Sequence, residues 1–211
     1  MFLRTFNSDV AYNQSLLPCP TIGSPRIKEI TMRLAPVTLT LTLGLLGCQN
    51  ASPPQTEFAP LLSRIEQRLD LASAVAGHKW DQQLPVQATD REHQVLAQVR
   101  EAAPHFGLSP GRATAFFDDQ IEASKLIQYS LLNRWAARGK RPATTALDLA
   151  DDIRPRLDEL QATLLFELAR FDQQPLAQCR KKLAQALARR SDEPVRHQAL
   201  VRATANLCAA R

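Results

Sequence analysis

The sequence predicts an all-α chain, a single-domain bundle of about six helices with its functional cavity inside the bundle. Three observations carry that prediction. Apolar residues recur every three or four positions in successive stretches from Phe58 onward, which is the period of a helix face. Pro85, Pro104, Gly107, Gly139, Pro175 and Pro194 punctuate those stretches. No alternating strand pattern survives after Cys48, and neither an internal repeat nor a shift in composition asks for a second domain.

With 211 residues, 45% hydrophobic and 22% charged, the chain suffices for one well-buried domain plus a dispensable segment. The N-terminus supplies that segment. Residues 1–31 show no clear period and read as a leader outside the fold, with Met32 the expected true start. Residues 32–47, MRLAPVTLTLTLGLLG, combine a positive charge, a short apolar core and small residues, which is how an export signal reads. The apolar part is too short for a good membrane span. Leu45-Leu46-Gly47-Cys48 resembles a bacterial lipobox, in which the cysteine is lipidated and becomes the first mature residue. An ordinary signal peptide, cut a few residues later to release a soluble protein, is the alternative. Either way the expected location is the periplasm, with membrane attachment only through a lipid on Cys48. Residues 48–57, CQNASPPQTE, form a flexible tether, and 58–211 the helical domain.

From Cys48 onward there are 22 Lys/Arg and 19 Asp/Glu, an excess of +3 that implies no nucleic-acid partner. Cys179 and Cys208 remain once Cys48 and Cys19 are set aside, and in an oxidising compartment they can bridge. No CxxC and no Cys/His cluster supports a metal site.

Taken in order, Leu62, Ile65, Leu69, Ala72 and Ala76 mark a first helix that runs to about Lys79-Trp80 and is closed by Pro85. A second begins near Asp90, a candidate N-cap, and continues through Val95, Leu96 and Val99 until Pro104 and Gly107. Ser109-Pro110 opens a long third helix that ends near Gly139. Asp151 or Asp152 would cap a fourth, with Pro155 in its first turn and Ile153, Leu157, Leu160, Leu164, Leu168 and Phe171 on one face. Pro175 and Pro194 start two shorter helices, one holding Cys179 and the other Cys208.

The third helix carries an anomaly. Its apolar seam is Phe117, Ile121, Ser124, Gln128, Leu131 and Trp135, so a hydroxyl and a carboxamide occupy core positions one turn apart. Burying them costs a few kcal/mol unless each finds a partner, so the seam needs a polar network or a ligand. The first helix places Arg68 and Lys79 eleven residues apart on nearly one face, with Cα atoms about 16 Å apart at ~1.5 Å per residue. With Arg91 in the first turn of the second helix and Arg154 in the first turn of the fourth, four cations can face one interior. The helix dipole disfavours a cation at an N-terminus, so such a set asks for an anion.

The order Arg68, LDLASAVAGHKW with Lys79, LPVQATDRE with Arg91-Glu92, DDQIEASKLIQYS with Ser124 and Gln128, then DDIRPRLDEL with Arg154 resembles the exported gamma-subclass of the all-helical chorismate mutases. The likeness extends from about Leu61 to Cys208, and the cysteine pair is similar to a disulfide of exported members. The resemblance implies the chorismate mutase type II fold, chorismate as substrate and a homodimer. It implies the [3,3] rearrangement of chorismate to prephenate, linked to phenylalanine and tyrosine biosynthesis, with no metal, no organic cofactor and no covalent intermediate. By that resemblance Arg68 and Arg154 clamp carboxylates, Arg91 helps position the anion, and Lys79 and Gln128 donate to the ether oxygen. Ser124 contacts a carboxylate or orders the site, and Glu92 accepts from the ring hydroxyl.

Two positions depart from the family pattern. Ala88 stands where some members have an acidic residue, a contact that Asp90 could replace. Gln128 stands where some carry a glutamate that must be protonated to donate. Lys125 and Tyr129 fall off the seam and read as rim or surface residues. His78 reads as a partly exposed histidine, Trp80 and Trp135 as core or interface anchors, and the Arg180-Lys181-Lys182 and Arg189-Arg190 runs as a solvated face. A non-catalytic periplasmic anion-binding or scaffold protein is the rival reading.

Overall fold

The computed structural model describes residues 57–144, 147–175 and 177–209. The expected leader, export signal, Cys48 lipobox and nearly all of the tether lie outside these residues. Within these residues six α-helices follow one another, α1 (Ala59–Asp81), α2 (Thr89–Ala102), α3 (Pro110–Arg138), α4 (Arg154–Asp172), α5 (Cys179–Leu187) and α6 (Pro194–Ala203). Among the described residues there is no strand.

Helix α3 is the spine, packing most extensively on α6 and α1 and then on α2, while α4 lies against α1. Ser109 caps it by accepting from the Arg112 N–H at 3.2 Å, Pro110 fills the first position, and Gly139 closes it at φ 66°, a left-handed value that glycine adopts without strain. In α1 the buried stripe is Leu61, Leu62, Ile65, Leu69, Ala72, Val75 and Ala76, with Arg68 and Lys79 buried along the same side. Phe58, Phe116, Phe117 and Phe171 are fully buried, with Phe58 and Phe171 rings 5.5 Å apart. Removing each such ring from water contributes about 1.5–3 kcal/mol.

Three local expectations are corrected. Asp90 does not cap α2. The N-cap position is Ala88, whose methyl side chain can accept nothing from the first turn, and its own N–H donates to Glu92 Oε1 at 3.0 Å. Asp151 and Asp152 do not cap α4. A five-residue π-helical turn, Leu149–Ile153, precedes it, capped by Asp148, whose Oδ1 accepts from the Ala150 and Asp151 N–H groups at 2.6 and 2.9 Å. Asp152 returns the contact by accepting from the Asp148 N–H at 2.8 Å, the reciprocal logic of a capping box. Cys208 lies beyond α6 rather than in it.

The segment after α6 is fastened three ways. A disulfide joins Cys179 to Cys208 with Cα atoms 5.8 Å apart. Arg112 forks onto Asp172 at 2.9 and 2.8 Å and donates to the Asn206 and Leu207 carbonyls at 2.6 and 2.9 Å. The fully buried Asp119 accepts from Arg202 and from the Asn206 N–H at 2.8 Å. The basic runs largely face solvent, with Lys182 paired to Glu57 and Arg190 to Glu66.

Candidate active site

A cavity of about 120 Å³ opens between α1, α2, α3 and α4. Helix α1 contributes Arg68 and Lys79, α2 contributes Arg91 and Glu92, and α3 contributes Ser124 and Gln128, so six of the seven expected site residues meet here. Ala72, Val75, Phe117 and Ile121 supply apolar wall.

Arg68 is 8% exposed and donates a hydrogen bond to the Gln120 carbonyl at 3.3 Å. No carboxylate among the described residues lies within ion-pair distance. Burial pulls its guanidinium well below the usual arginine range, to about 10. Lys79 is buried as deeply, and its ammonium donates to the Val86 carbonyl at 2.5 Å, which ties the segment between α1 and α2 to the cavity wall. Burial lowers its pKa, the Glu92 carboxylate opposes that, and the Lys125 ammonium adds to it.

Gln128 Nε2 donates to Ser124 Oγ at 3.0 Å, while its buried Oε1 has no partner. A carboxamide turned end for end would satisfy this pair better. Ser124 would then donate to Oε1, leaving Nε2 free to donate to an acceptor. The seam's polar pair is thus a half-satisfied network that a ligand acceptor would complete.

Arg91 reaches across to α4, where Asp158 accepts at 3.1 Å, so the dipole-disfavoured cation has found a carboxylate of its own chain. Glu92 takes hydrogen bonds from the Ala88 N–H at 3.0 Å, Gln87 Nε2 at 2.8 Å and Lys125 Nζ at 3.2 Å. Burial pushes its carboxyl up, but these donors together bring it below the usual range.

Residue types and distances set the chemistry of the cavity. Among the lining residues Arg68, Lys79, Arg91 and Lys125 face Glu92 and Asp158, a net positive lining that favours an anion. The model of the family described as "Chorismate mutase type II" matches residues 59–129. The chain is 30% identical to a secreted chorismate mutase of Mycolicibacterium smegmatis over 182 residues, 83% of this chain and 99% of that one. It is also 30% identical to a secreted chorismate mutase of Mycobacterium tuberculosis, over 68% of this chain and 73% of that one. This chain belongs to the chorismate mutase type II family. Among solved structures, the chorismate mutase of Burkholderia phymatum superposes with a TM-score of 0.68 at 37% identity, covering 74% of this chain and 99% of its own. The Burkholderia thailandensis chorismate mutase gives 0.67 at 36%, covering 72% and 99%. The all-α type II fold is thereby that of this chain.

Set beside the family pattern, three residues stand elsewhere than expected. Arg154 does not line the cavity. It is exposed at the first residue of α4, one turn before Leu157 and Asp158, which do line it. A long cation at a helix start stays in water when no anion draws it inward. Asp90 is exposed and does not stand in for the missing acid at Ala88. Ala88 itself lines the cavity, and Lys79 uses the Val86 carbonyl. Lys125 is neither rim nor surface. It is 8% exposed, lines the cavity, and binds Glu122 and Glu92. Its spacing of four from Ile121 and three from Gln128 was a signal for this, since a core-facing stripe is wider than a single seam. Asp158, four residues beyond Arg154, was legible in the same way.

A larger cavity of about 540 Å³ lies between α1, α3 and the residues Arg141, Pro142, Thr144 and Leu147, where Arg141 forks onto Asp81 at 2.7 and 2.6 Å. Neither orphaned buried oxygen, Gln120 Oε1 nor Gln128 Oε1, belongs to a residue of its lining, so size alone does not make it the site.

Proposed function

We propose that this cavity isomerises chorismate to prephenate by the [3,3] rearrangement. The observation that carries the reading is the pair of deeply buried cations without a carboxylate partner among the described residues, Arg68 and Lys79, beside a carboxamide that lacks one hydrogen bond. Burying cations in this way costs folding free energy, and a dianionic ligand returns it.

Chorismate has two carboxylates and an ether oxygen that gathers negative charge as its C–O bond stretches. Catalysis therefore means holding the compact conformer and placing donors at that oxygen. Arg68 takes one carboxylate in its planar fork. Arg154, exposed one turn from the lining of α4, swings in over the other, and Arg91 exchanges Asp158 for the bound anion. Lys79 and the Nε2 of a turned Gln128 donate to the ether oxygen, with Ser124 donating to Gln128 Oε1. Glu92 is anionic and has acceptor capacity left for the ring hydroxyl. The apolar wall of Ala72, Val75, Phe117 and Ile121 excludes water and strengthens each of these charge contacts. No step requires a proton transfer or a covalent intermediate.

Relatives named as secreted support export. The periplasm as destination, the division at residues 31, 47 and 57, the lipid on Cys48 and a homodimer complete the proposal. The first three rest on the N-terminal sequence, and the homodimer rests on the family resemblance. Membrane partition with and without Cys48→Ser, and light scattering of the purified protein, test the lipid and the dimer.

The test of function is loss of chorismate absorbance with purified protein, with prephenate identified by acid conversion to phenylpyruvate. Lys79→Ala and Gln128→Ala should each lower kcat roughly 10²–10³-fold while remaining folded. Chorismate binding without turnover in the parent would replace the mutase with an anion-binding protein.

A further inference from the structure

Lys125 carries more than its place in the sequence suggests. Its ammonium has three acceptors, Glu122 Oε1 at 2.5 Å, Gln87 Oε1 at 3.1 Å and Glu92 Oε2 at 3.2 Å. Glu92 is in turn located from three sides, by the Ala88 N–H at its own helix start, by Gln87 from the segment before it, and by Lys125 from α3. The charged groups around Glu92 are Lys79 from α1, Lys125 and Glu122 from α3, Asp158 from α4 and Arg91 on α2 itself. Of these, Lys79 is the competitor, because it lacks a carboxylate and already feels the Glu92 charge.

We propose that Lys125 is a positioning residue of the mutase site, holding the Glu92 carboxylate where it meets the substrate's ring hydroxyl and keeping it from pairing with Lys79. The inference rests on the mutase reading above. A Glu92–Lys79 pair would disable two roles together, the acceptor for the hydroxyl and the donor for the ether oxygen. Glu122 completes the device: paired with Lys125 on the same helix at a spacing of three, it anchors the ammonium from behind. Lys125 thus acts on the reaction only through Glu92, as a countercharge in a cavity where charges are weakly screened.

Four variants of the full chain test this, Lys125→Met, Lys125→Arg, Glu92→Gln and the Lys125→Met/Glu92→Gln double, each with its unfolding midpoint measured. Lys125→Met should lower kcat/KM about tenfold or more and move the acid limb of its pH profile upward, since Glu92 loses a cation that favours its ionised form. Lys125→Arg should recover most of the loss. In the Glu92→Gln background, Lys125→Met should cost little more, the non-additivity expected of residues that act as a unit. Wild-type kcat/KM with an unmoved acid limb in Lys125→Met overturns the proposal, and so do losses that simply multiply in the double variant. Should Lys125→Met fail to fold, Lys125→Gln carries the same comparison. An inactive parent sinks the mutase reading and this inference with it, whereas an active parent assigns any failure to Lys125 alone.

Discussion

Replacing Arg68 by methionine should make the protein more stable and nearly inactive. Burial lowers the Arg68 guanidinium to about 10, a shift from its ordinary value worth about 3 kcal/mol. The unfolded chain holds that proton more tightly, so the cost to folding is fully present below about pH 10 and fades only as pH rises above it. Methionine fills similar space without charge. Against the gain stands one hydrogen bond to the Gln120 carbonyl at 3.3 Å, worth about 1 kcal/mol. The net is about 2 kcal/mol, or roughly 4–8 °C in Tm for a domain of this size. Losing a buried clamp on a carboxylate should meanwhile cost roughly 2–5 kcal/mol, a fall in kcat/KM of about 30- to 5000-fold. Thermal unfolding at neutral pH beside chorismate turnover reads both effects. A variant that melts below the parent and keeps its activity would refute the reasoning, because Arg68 would then be a satisfied structural cation.

Gln128→Glu should be active only where the new carboxyl is protonated, its rate falling about tenfold per pH unit above that pKa. Full activity at about pH 8 would remove Gln128 from the ether oxygen. Asp158→Asn should free Arg91 for the substrate. The pair is partly exposed, with side chains at 28% and 56%, so the expected fall in KM is only about two- to fivefold, and an unchanged KM counts against the exchange. Cys179→Ser should lower stability by roughly 3–4 kcal/mol for a closed loop of 29 residues. A loss well under about 1 kcal/mol would instead assign the hold on the C-terminal segment to Arg112 and Asp119.

Most of the helical frame was legible because its signals are local. A Ser-Pro start and a glycine at the left-handed close define α3 within a residue or two, and the intervals of three and four along α1 name its buried side. The polar pair Ser124 and Gln128 was legible for the same reason, since a hydroxyl and a carboxamide on an apolar seam stand out wherever that seam packs. Neither signal depends on a distant partner. The π-helical turn before α4 was not legible, because Asp148 is one of three aspartates within five residues and each could have been the cap.

The decisive features at the cavity depend on which elements meet. Helical period assigns residues to a face about 100° wide, but a residue at the margin turns inward or outward according to the neighbour it packs against. Lys125 faces the cavity because Glu92 and Gln87, more than thirty residues earlier, are brought against it. Arg154, at an equally marginal place, is exposed, and Asp158 one turn further along α4 is taken by Arg91. Lys79 finds the Val86 carbonyl only because the chain doubles back between α1 and α2. Residue type therefore set the charge and donors this protein carries, while packing chose which charges share a low-dielectric space, and it is that space that gives them their strength.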